Sequence, residues 1–389
     1  PIFRKRHKEM CMFNRQRLCA VVHKEFIHVF RDWRSLFLAI AIPMALILLF
    51  GYALNMDLNQ VPTGVWDRSM TPESREFLSL LDGSAYFSLT GYAQGYRKLQ
   101  TDLETGKTLL SIVIPGDFAE KIRSGRSVSI QVIADGSDAN TARLALSYVS
   151  ALGMIYNRNL TIRRMQAAGK GDPVVPVSME NRVWYNADLR SPNSIIPGIV
   201  AVVMVVIAAM LTSVTVAREW ETGTMEQLIS TPVRGPELVF GKAAPYFVIG
   251  MVDVAIAVFM GQWLFDVPLR GSTALVFAMA AVFLTGALFF GLTLSIVLKN
   301  QVMANQAALL GSYLPTLMLS GFVFAIENMP VPIQCLTYIV PARYFIALLR
   351  GIYLKGIGLE ILWVNALLLA LYAAVMVLAA NRRMKLKLE

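Results

Sequence analysis

Five runs without a single charged side chain, at residues 36–56, 191–217, 271–298, 300–326 and 361–381, dominate this chain. Each is at or beyond the roughly 20 residues that cross a hydrocarbon core as helix. A backbone in lipid must satisfy its own hydrogen bonds, so runs of this length predict transmembrane helices and not a soluble core. A sixth run, 243–265, is interrupted only by Asp253, and one carboxylate is tolerable in a span when it faces other helices. Hydrophobic residues make up 56% of the chain and charged ones 16%, well outside the globular norm.

The first run lies too far into the chain and is too long for the core of a cleavable signal peptide, so it is expected to stay in the membrane. The chain begins at Pro1, and native residues are expected to precede it. Lys and Arg crowd the flanks: Arg4, Lys5, Arg6, Lys8, Arg15, Arg17, Lys24, Arg31 and Arg34 before the first run, and Arg382, Arg383, Lys385 and Lys387 after the last. By the positive-inside rule both ends are cytoplasmic, which requires an even number of spans and agrees with six. The net charge of +10 is thereby accounted for by topology and anionic lipid headgroups, with no reason to invoke nucleic acid.

The sequence divides accordingly. Residues 1–35 form a cytoplasmic N-terminal segment, in which Leu18, Val21, Val22, Phe26, Val29, Phe30 and Trp33 recur at helical spacing and predict an amphipathic interfacial helix. The first span is 36–56. Residues 57–190 are predicted to be an extracytoplasmic α/β domain, because period-two runs at 61–66, 86–92, 109–114 and 128–134 alternate with helical patterns at 71–81, 96–105, 117–124 and 138–166. A last extended segment, 174–185, leads back to the membrane. The second span, 191–217, is followed by a cytoplasmic loop at 218–242, then spans at 243–265, 271–298 and 300–326. Residues 328–358 hold Pro330, Pro332, Pro341, Arg343, Arg350 and Gly351 and are read as outer re-entrant or interfacial helices. The sixth span is 361–381 and the cytoplasmic tail 382–389.

Little in the chain suggests catalysis. His7, His23 and His28 all lie in the N-terminal segment, and Cys11, Cys19 and Cys335 form no framework, so neither a metal site nor a His-based triad is expected. Thr101–Thr108 resembles a phosphate-binding loop, but Thr101 replaces the first glycine and the run precedes a strand instead of following one. Energy from ATP would have to come from another protein.

The charged stretch Arg218-Glu219-Trp220-Glu221-Thr222-Gly223-Thr224-Met225-Glu226-Gln227-Leu228-Ile229-Ser230-Thr231-Pro232 stands out between the second and third spans. Gly223 permits a turn, and Thr224 is placed to cap a short helix carrying Met225, Leu228 and Ile229 on one side. Such an acidic amphipathic helix suits a groove on a soluble partner; an ordinary solvated loop is the other reading. Asp253 is a candidate for handling substrate or protons, or a helix–helix hydrogen bond to Thr, Ser or Asn on a neighbour. Gln301, Asn305 and Gln306 either line a polar vestibule or mark a helix start near the headgroups.

The pattern Arg-Glu-x-Glu-x-Gly-Thr-x-Glu-x-Leu-x-x-x-Pro over 218–232, followed by Glu237 and Gly241-Lys242, resembles the signature loop of ABC-2-type transporter permeases. Lys24-Glu25-Phe26, Arg31-Asp32, Phe50-Gly51-Tyr52-Ala53, Arg182-Val183-Trp184-Tyr185-Asn186, Ile196-Pro197-Gly198, Ser320-Gly321, Pro341, Tyr344-Phe345 and Arg350 are similar to the drug-exporter-like branch with a large periplasmic domain. The resemblance implies a type V, ABC-2 exporter-like fold of six helices in the bacterial inner membrane. It further implies a non-catalytic permease moving a small amphipathic molecule or other substrate, paired with an identical or paralogous second permease and driven by a separate ATP-binding subunit that holds ATP and Mg. Arg218, Glu219, Glu221, Gly223, Thr224, Glu226, Leu228 and Pro232 would form the ATPase-coupling surface, and a periplasmic adaptor protein is a further expected partner. An ion-coupled secondary transporter using Asp253 is the alternative, although the internal repeats common in such proteins are not seen.

Overall fold

The computed structural model describes residues 14–53, 60–168, 184–186 and 190–384. The segments 1–13, most of the return segment 174–185 and the tail residues 385–389 lie outside them. The chain separates into two compact units, residues 1–55 with 183–389 and residues 56–182.

Helix α1 (Arg15–Arg31) opens the first unit, its N-terminus capped by the Asn14 side chain, which accepts from the Gln16 amide. Helix α2 (Trp33–Ala53) follows. In α1 the fully buried residues are Val21 and Glu25, so the face that packs is not purely apolar, while Ile27 and Phe30 are exposed.

The second unit is a four-stranded sheet with helices on both faces: β1 (Val61–Asp67), α3 (Pro72–Asp82), β2 (Phe87–Tyr92), α4 (Tyr96–Glu104), β3 (Leu110–Ile114), α5 (Phe118–Arg123), β4 (Gln131–Ala134) and α6 (Ala139–Ala167). The strand order is β2-β1-β3-β4; β1 runs parallel to β2 and β3, and β4 closes the edge antiparallel to β3. β3 is buried along its whole length, as expected of a central strand covered on both faces. Its Leu110, Ile112 and Ile114 join Phe77, Phe118 and Tyr156 in one cluster, whereas Val113 points the other way to Leu99 of α4. The Ser74 hydroxyl donates to Asp67 Oδ2 at 2.6 Å and tethers the first turn of α3 to the end of β1. The run 101–108 ends α4 and enters β3, the reverse of a phosphate-binding loop.

The first unit resumes with α7 (Ser191–Ser213), α8 (Thr215–Glu221), α9 (Thr224–Ile229), α10 (Gly235–Trp263), α11 (Thr273–Leu298), α12 (Gln301–Leu319), α13 (Val331–Thr337), α14 (Pro341–Arg350) and α15 (Leu359–Arg383). Helix α7 is the centre of this bundle and packs on α2, α10, α11, α12 and α14. Small residues allow close approach where polar backbone must be shielded: a Cβ on Gly291 of α11 would collide with Ala209 and Thr212 of α7, and the Thr212 hydroxyl donates to the Leu288 carbonyl at 2.9 Å across the same contact.

Four helices, 191–221 (α7 with α8), α10, α11 and α15, are long and apolar enough to cross a membrane. The number rises to six if two bent pairs each form one span: α1 with 36–52, bent by 70°, and α13 with 341–355, bent by 81°. The uncharged run 300–326 was expected to be helical throughout, but α12 stops at Leu319. Gly321 adopts φ +79°, and its carbonyl accepts from Arg350 Nη1 at 3.1 Å, so the chain turns where apolarity alone suggested it would continue. The expected loop 218–242 is shorter than anticipated. Pro236 in the first turn and Glu237, whose carboxylate accepts from the Arg234 amide at 3.0 Å, start α10 at Gly235, eight residues before the predicted span.

Candidate functional site

The stretch after α7 is two short helices joined by a glycine turn and not an open loop. Gly223, at φ +72°, separates α8 from α9 and occupies the cap position of α9. Thr224, expected to be the cap, is instead the first helical residue; its hydroxyl donates to the Glu219 carbonyl at 3.4 Å and lies 3.1 Å from the Thr222 hydroxyl. The correction has a simple cause: a left-handed residue is needed to reverse the chain, and glycine adopts that conformation without a Cβ clash.

Three surfaces of this hairpin differ sharply. Met225 is buried and Leu228 and Ile229 pack beside it against the bundle core, so its apolar side faces inward. Arg218, Thr222, Gly223, Glu226 and Gln227 are exposed. Among the described residues the Glu226 carboxylate has no hydrogen-bond or ion-pair partner, while the carbonyl of Pro232 accepts from Arg17 Nη1 of α1 at 2.6 Å.

Glu219, expected on the exposed side, is buried. Its Oε1 lies 2.9 Å from Lys242 Nζ of α10 and 3.2 Å from Lys24 Nζ of α1; Glu25 Oε1 lies 3.2 Å from both lysines. Two cations and two anions from α1, α8 and α10 thus close a charge-balanced quartet. The Lys242 side chain is only 2% exposed and that of Glu25 5%. Burial pushes the Glu25 carboxyl up, but Lys242 and Lys24 outweigh it and hold it below the usual carboxylate range. Burial likewise opposes the Lys24 ammonium, yet Glu25 and Glu219 raise its pKa above that of an ordinary lysine. A cavity of about 570 Å³ opens beside the quartet, lined by these four residues together with Arg218, Thr224 and Tyr246.

The hairpin is tied to the rest of the bundle at two further points. The Glu221 carboxylate accepts from the Gln301 amide at 2.9 Å and from its side chain, placing an anion on the N-terminus of α12. The Ser295 hydroxyl of α11 accepts from the Val216 and Ala217 amides at 3.0 and 2.9 Å, and Lys299 Nζ sits 4.3 Å above the Trp220 ring. Gln301 therefore serves as a partner of Glu221; Asn305 is half-buried and Gln306 exposed. On α10, Gly241 lies against Val21 with no room for a Cβ, and the buried Glu237 Oε1 accepts from the Asn14 amide at 2.8 Å. Helix α1 is thereby pinned along the first turns of α10.

Asp253 lies in a separate place. Its carboxylate is buried among Pro43, Val203, Gly250 and Leu284, and its Oδ1 has no hydrogen-bond partner, so the Thr, Ser or Asn expected to bind it is not there among the described residues. The space beside it, about 20 Å³ for the centre of a water, is room for one molecule. Among the described residues only Tyr246 lines both this cavity and the one at the quartet.

Sequence reading located the hairpin but missed the roles of Lys24, Glu25 and Lys242, although all three fall in segments singled out for resemblance. A lysine immediately before a predicted span, the last residue of the expected loop and eleven residues before Asp253, is the available signal.

Comparison with known proteins agrees with this architecture. The chain is 37% identical over 356 residues to "Probable multidrug ABC transporter permease YbhS" of Escherichia coli (strain K12), a match covering 91% of this chain and 93% of the relative. It is 27% identical over 350 residues to "Probable multidrug ABC transporter permease YbhR" of the same organism, covering 89% and 92%. Against "Linearmycin resistance permease protein LnrN" of Bacillus subtilis (strain 168) the identity is 21% over 382 residues, covering 92% and 97%. The sequence pattern described as "ABC-2 family transporter protein" matches residues 33–381, and on that extent of agreement this chain belongs to the ABC-2 family of transporter permeases.

Proposed function

We propose that the chain is the membrane-spanning half-unit of an ATP-driven exporter that moves a small amphipathic molecule outward across a bacterial inner membrane. In this reading it pairs with a second, identical or paralogous, permease. ATP and Mg are held by a separate ATP-binding subunit, and an envelope adaptor completes the path. Six spans place both termini in the cytoplasm and the inserted α/β unit outside. The reading is supported by the named relatives and, within this chain, by the α8–α9 hairpin.

That hairpin has the mechanical properties that coupling needs. Its tip, Thr222 to Gln227, offers Glu226 and a glycine turn to a partner, while its base is wired by Glu219, Glu221 and the Ser295 contact into α1, α10, α11 and α12. A push on the tip therefore reaches four helices without passing through a flexible loop. Lys242 and Glu219 transmit to α10; Glu221 transmits to the start of α12. The ion-coupled alternative is not favoured, since the relatives are named as ABC permeases and Asp253 has no charged partner to exchange with.

Co-purification with the ATP-binding subunit tests the proposal. Glu226→Lys is expected to abolish the association while leaving the isolated permease folded, because the exposed Glu226 side chain has no hydrogen-bond or ion-pair partner among the described residues. Undiminished association and ATP-dependent transport in that variant would overturn the assignment of the tip.

A further inference from the structure

We propose that the inserted α/β unit binds a small amphipathic acid in a cleft between α5, the segment 124–130 and α6. This site is independent of the α8–α9 hairpin and of how the exporter is driven.

The cleft holds about 460 Å³, within the range of small-molecule sites. One wall is apolar: Val128, Ile130 and Leu160 are half-buried and stand over the cluster that contains Phe118 and Tyr156. The lining also carries two guanidinium groups, those of Arg126 and Arg164. Arg126 Nε donates to Ser124 Oγ at 3.0 Å and its Nη2 to Glu120 Oε1 at 3.3 Å, and Arg164 Nη2 donates to the Ile122 carbonyl. These bonds orient both forks yet use only part of the five N–H donors each has, leaving donors for a carboxylate.

Charge in the surroundings selects the same sign. Among the described residues no Asp or Glu lines the cleft. Three carboxylates of α3 and α5 are paired, Glu120 with Arg126, Glu73 with Arg123 and Glu76 with Arg163. An anion entering the cleft meets guanidinium donors that these bonds leave unused.

The wall of the cleft is also left open at a cost. Gly153 lies in the middle of α6 and lines the cavity, and a Cβ built there would meet no atom within 4 Å. A glycine in a helix interior is about 1 kcal/mol worse than alanine. Packing does not require the glycine, since a Cβ there would stand in open space, and what it preserves is the empty volume. The occupant that matches is an apolar chain or ring lying along Val128, Ile130 and Leu160, with one acidic group at Arg126 and Arg164.

The full chain in lipid nanodiscs can be photolabelled with a decanoate carrying a diazirine in its chain, and the labelled peptides mapped by mass spectrometry. Decanoate is expected to label residues 118–130 and 153–164. The decanol analogue of the same length is expected to label them about tenfold less, the loss of one good ionic contact. Gly153→Leu, which fills the cleft and improves the helix, should reduce labelling there at least as much with an unchanged or higher melting temperature. The double variant Arg126→Gln with Arg164→Gln should lower carboxylate labelling to the level of the alcohol. Labelling confined to the membrane helices, equal labelling by acid and alcohol, or labelling of the cleft that neither variant alters would overturn the proposal.

Discussion

Two buried ionisable residues of α10, Lys242 and Asp253, meet opposite fates. At the start of α10, Lys242 is enclosed with Glu219, Glu25 and Lys24, and every charge has an opposite neighbour within 3.2 Å. Eleven residues further along, about three helical turns, Asp253 is enclosed by apolar side chains and has nothing to pair with. The first arrangement holds three separate helices in one geometry, because removing the buried Lys242 leaves Glu25 and Glu219 in a low-dielectric interior with only the half-exposed Lys24 to balance them. The second holds nothing together; a lone carboxylate there costs stability and contributes no contact that a neutral group of the same shape would lose. The comparison teaches that the buried ions of this bundle are not one class: the quartet is structural wiring, and Asp253 is a solitary polar group in the packing around α2, α7 and α11.

Breaking the quartet should have the largest effect. Lys242→Met removes the buried one of the two cations that Glu25 and Glu219 share, leaving only the half-exposed Lys24, and is expected to cost about 3 kcal/mol, read as a loss of thermal stability of the purified permease. Adding Glu25→Gln and Glu219→Gln to the same chain should recover most of it, since the stranded anions are then gone. Failure of the triple variant to recover would show that Lys242 acts through packing and not through charge.

The acid and base limits of the quartet sharpen the comparison. Glu25 titrates below its ordinary value when folded, so its contribution is present above the unfolded carboxylate pKa and is lost as pH falls through the folded one. Lys24 titrates above its ordinary value, so its contribution is full below the unfolded lysine pKa and is lost as pH rises through the folded one. Contact between α1 and α10 is therefore expected to hold on a plateau from roughly pH 5 to pH 10, and to weaken outside it. Cysteine pairs placed at exposed positions of α1 and α10 would report the separation; a maximum of separation near neutrality would contradict the assignment.

Asp253→Asn should have a smaller effect of opposite sign, with stability unchanged or raised by about 1 kcal/mol, because a neutral amide is cheaper to bury than a carboxylate. ATP-driven transport is expected to persist. A loss of stability comparable to that of Lys242→Met would mean that Asp253 is paired after all. The smallest effect belongs to Glu221→Gln, which removes a charge but keeps an acceptor at the exposed N-terminus of α12. It should cost on the order of 0.5–1 kcal/mol in the isolated permease, measured by thermal unfolding.

The legible part of this protein was that governed by local pattern. Period-two runs at 61–66, 86–92 and 109–114 correspond to strands at Val61–Asp67, Phe87–Tyr92 and Leu110–Ile114, because alternation of apolar side chains is a property of a few consecutive residues. Proline and glycine near helix ends are visible too, yet hydropathy by itself leaves the charged flank at Gly235 as loop and carries the helix past Gly321, where the structure starts α10 and has already ended α12. A capping carboxylate such as Glu237, or a turn at Gly321 bound by Arg350 from a distant helix, ends or begins an element in ways that hydropathy does not register. For the candidate site, the hairpin residues were recognised by resemblance, but which of their carboxylates faces inward was not.

By itself the amino-acid order determined that this is a multi-pass membrane chain with an inserted α/β unit, and it marked the acidic stretch after α7, since hydrophobic length, periodicity and turn chemistry act over a turn or two of chain. Only the tertiary structure decided which charges meet. Glu25 and Lys242 are 217 residues apart and pair because α1 lies along α10 where Gly241 admits Val21. Glu219 turns inward while Glu226 turns outward because Gly223 reverses the chain between them. The pairing of a buried ion depends on which helices pack together and at what rotation, and no stretch of sequence short enough to read locally contains that information.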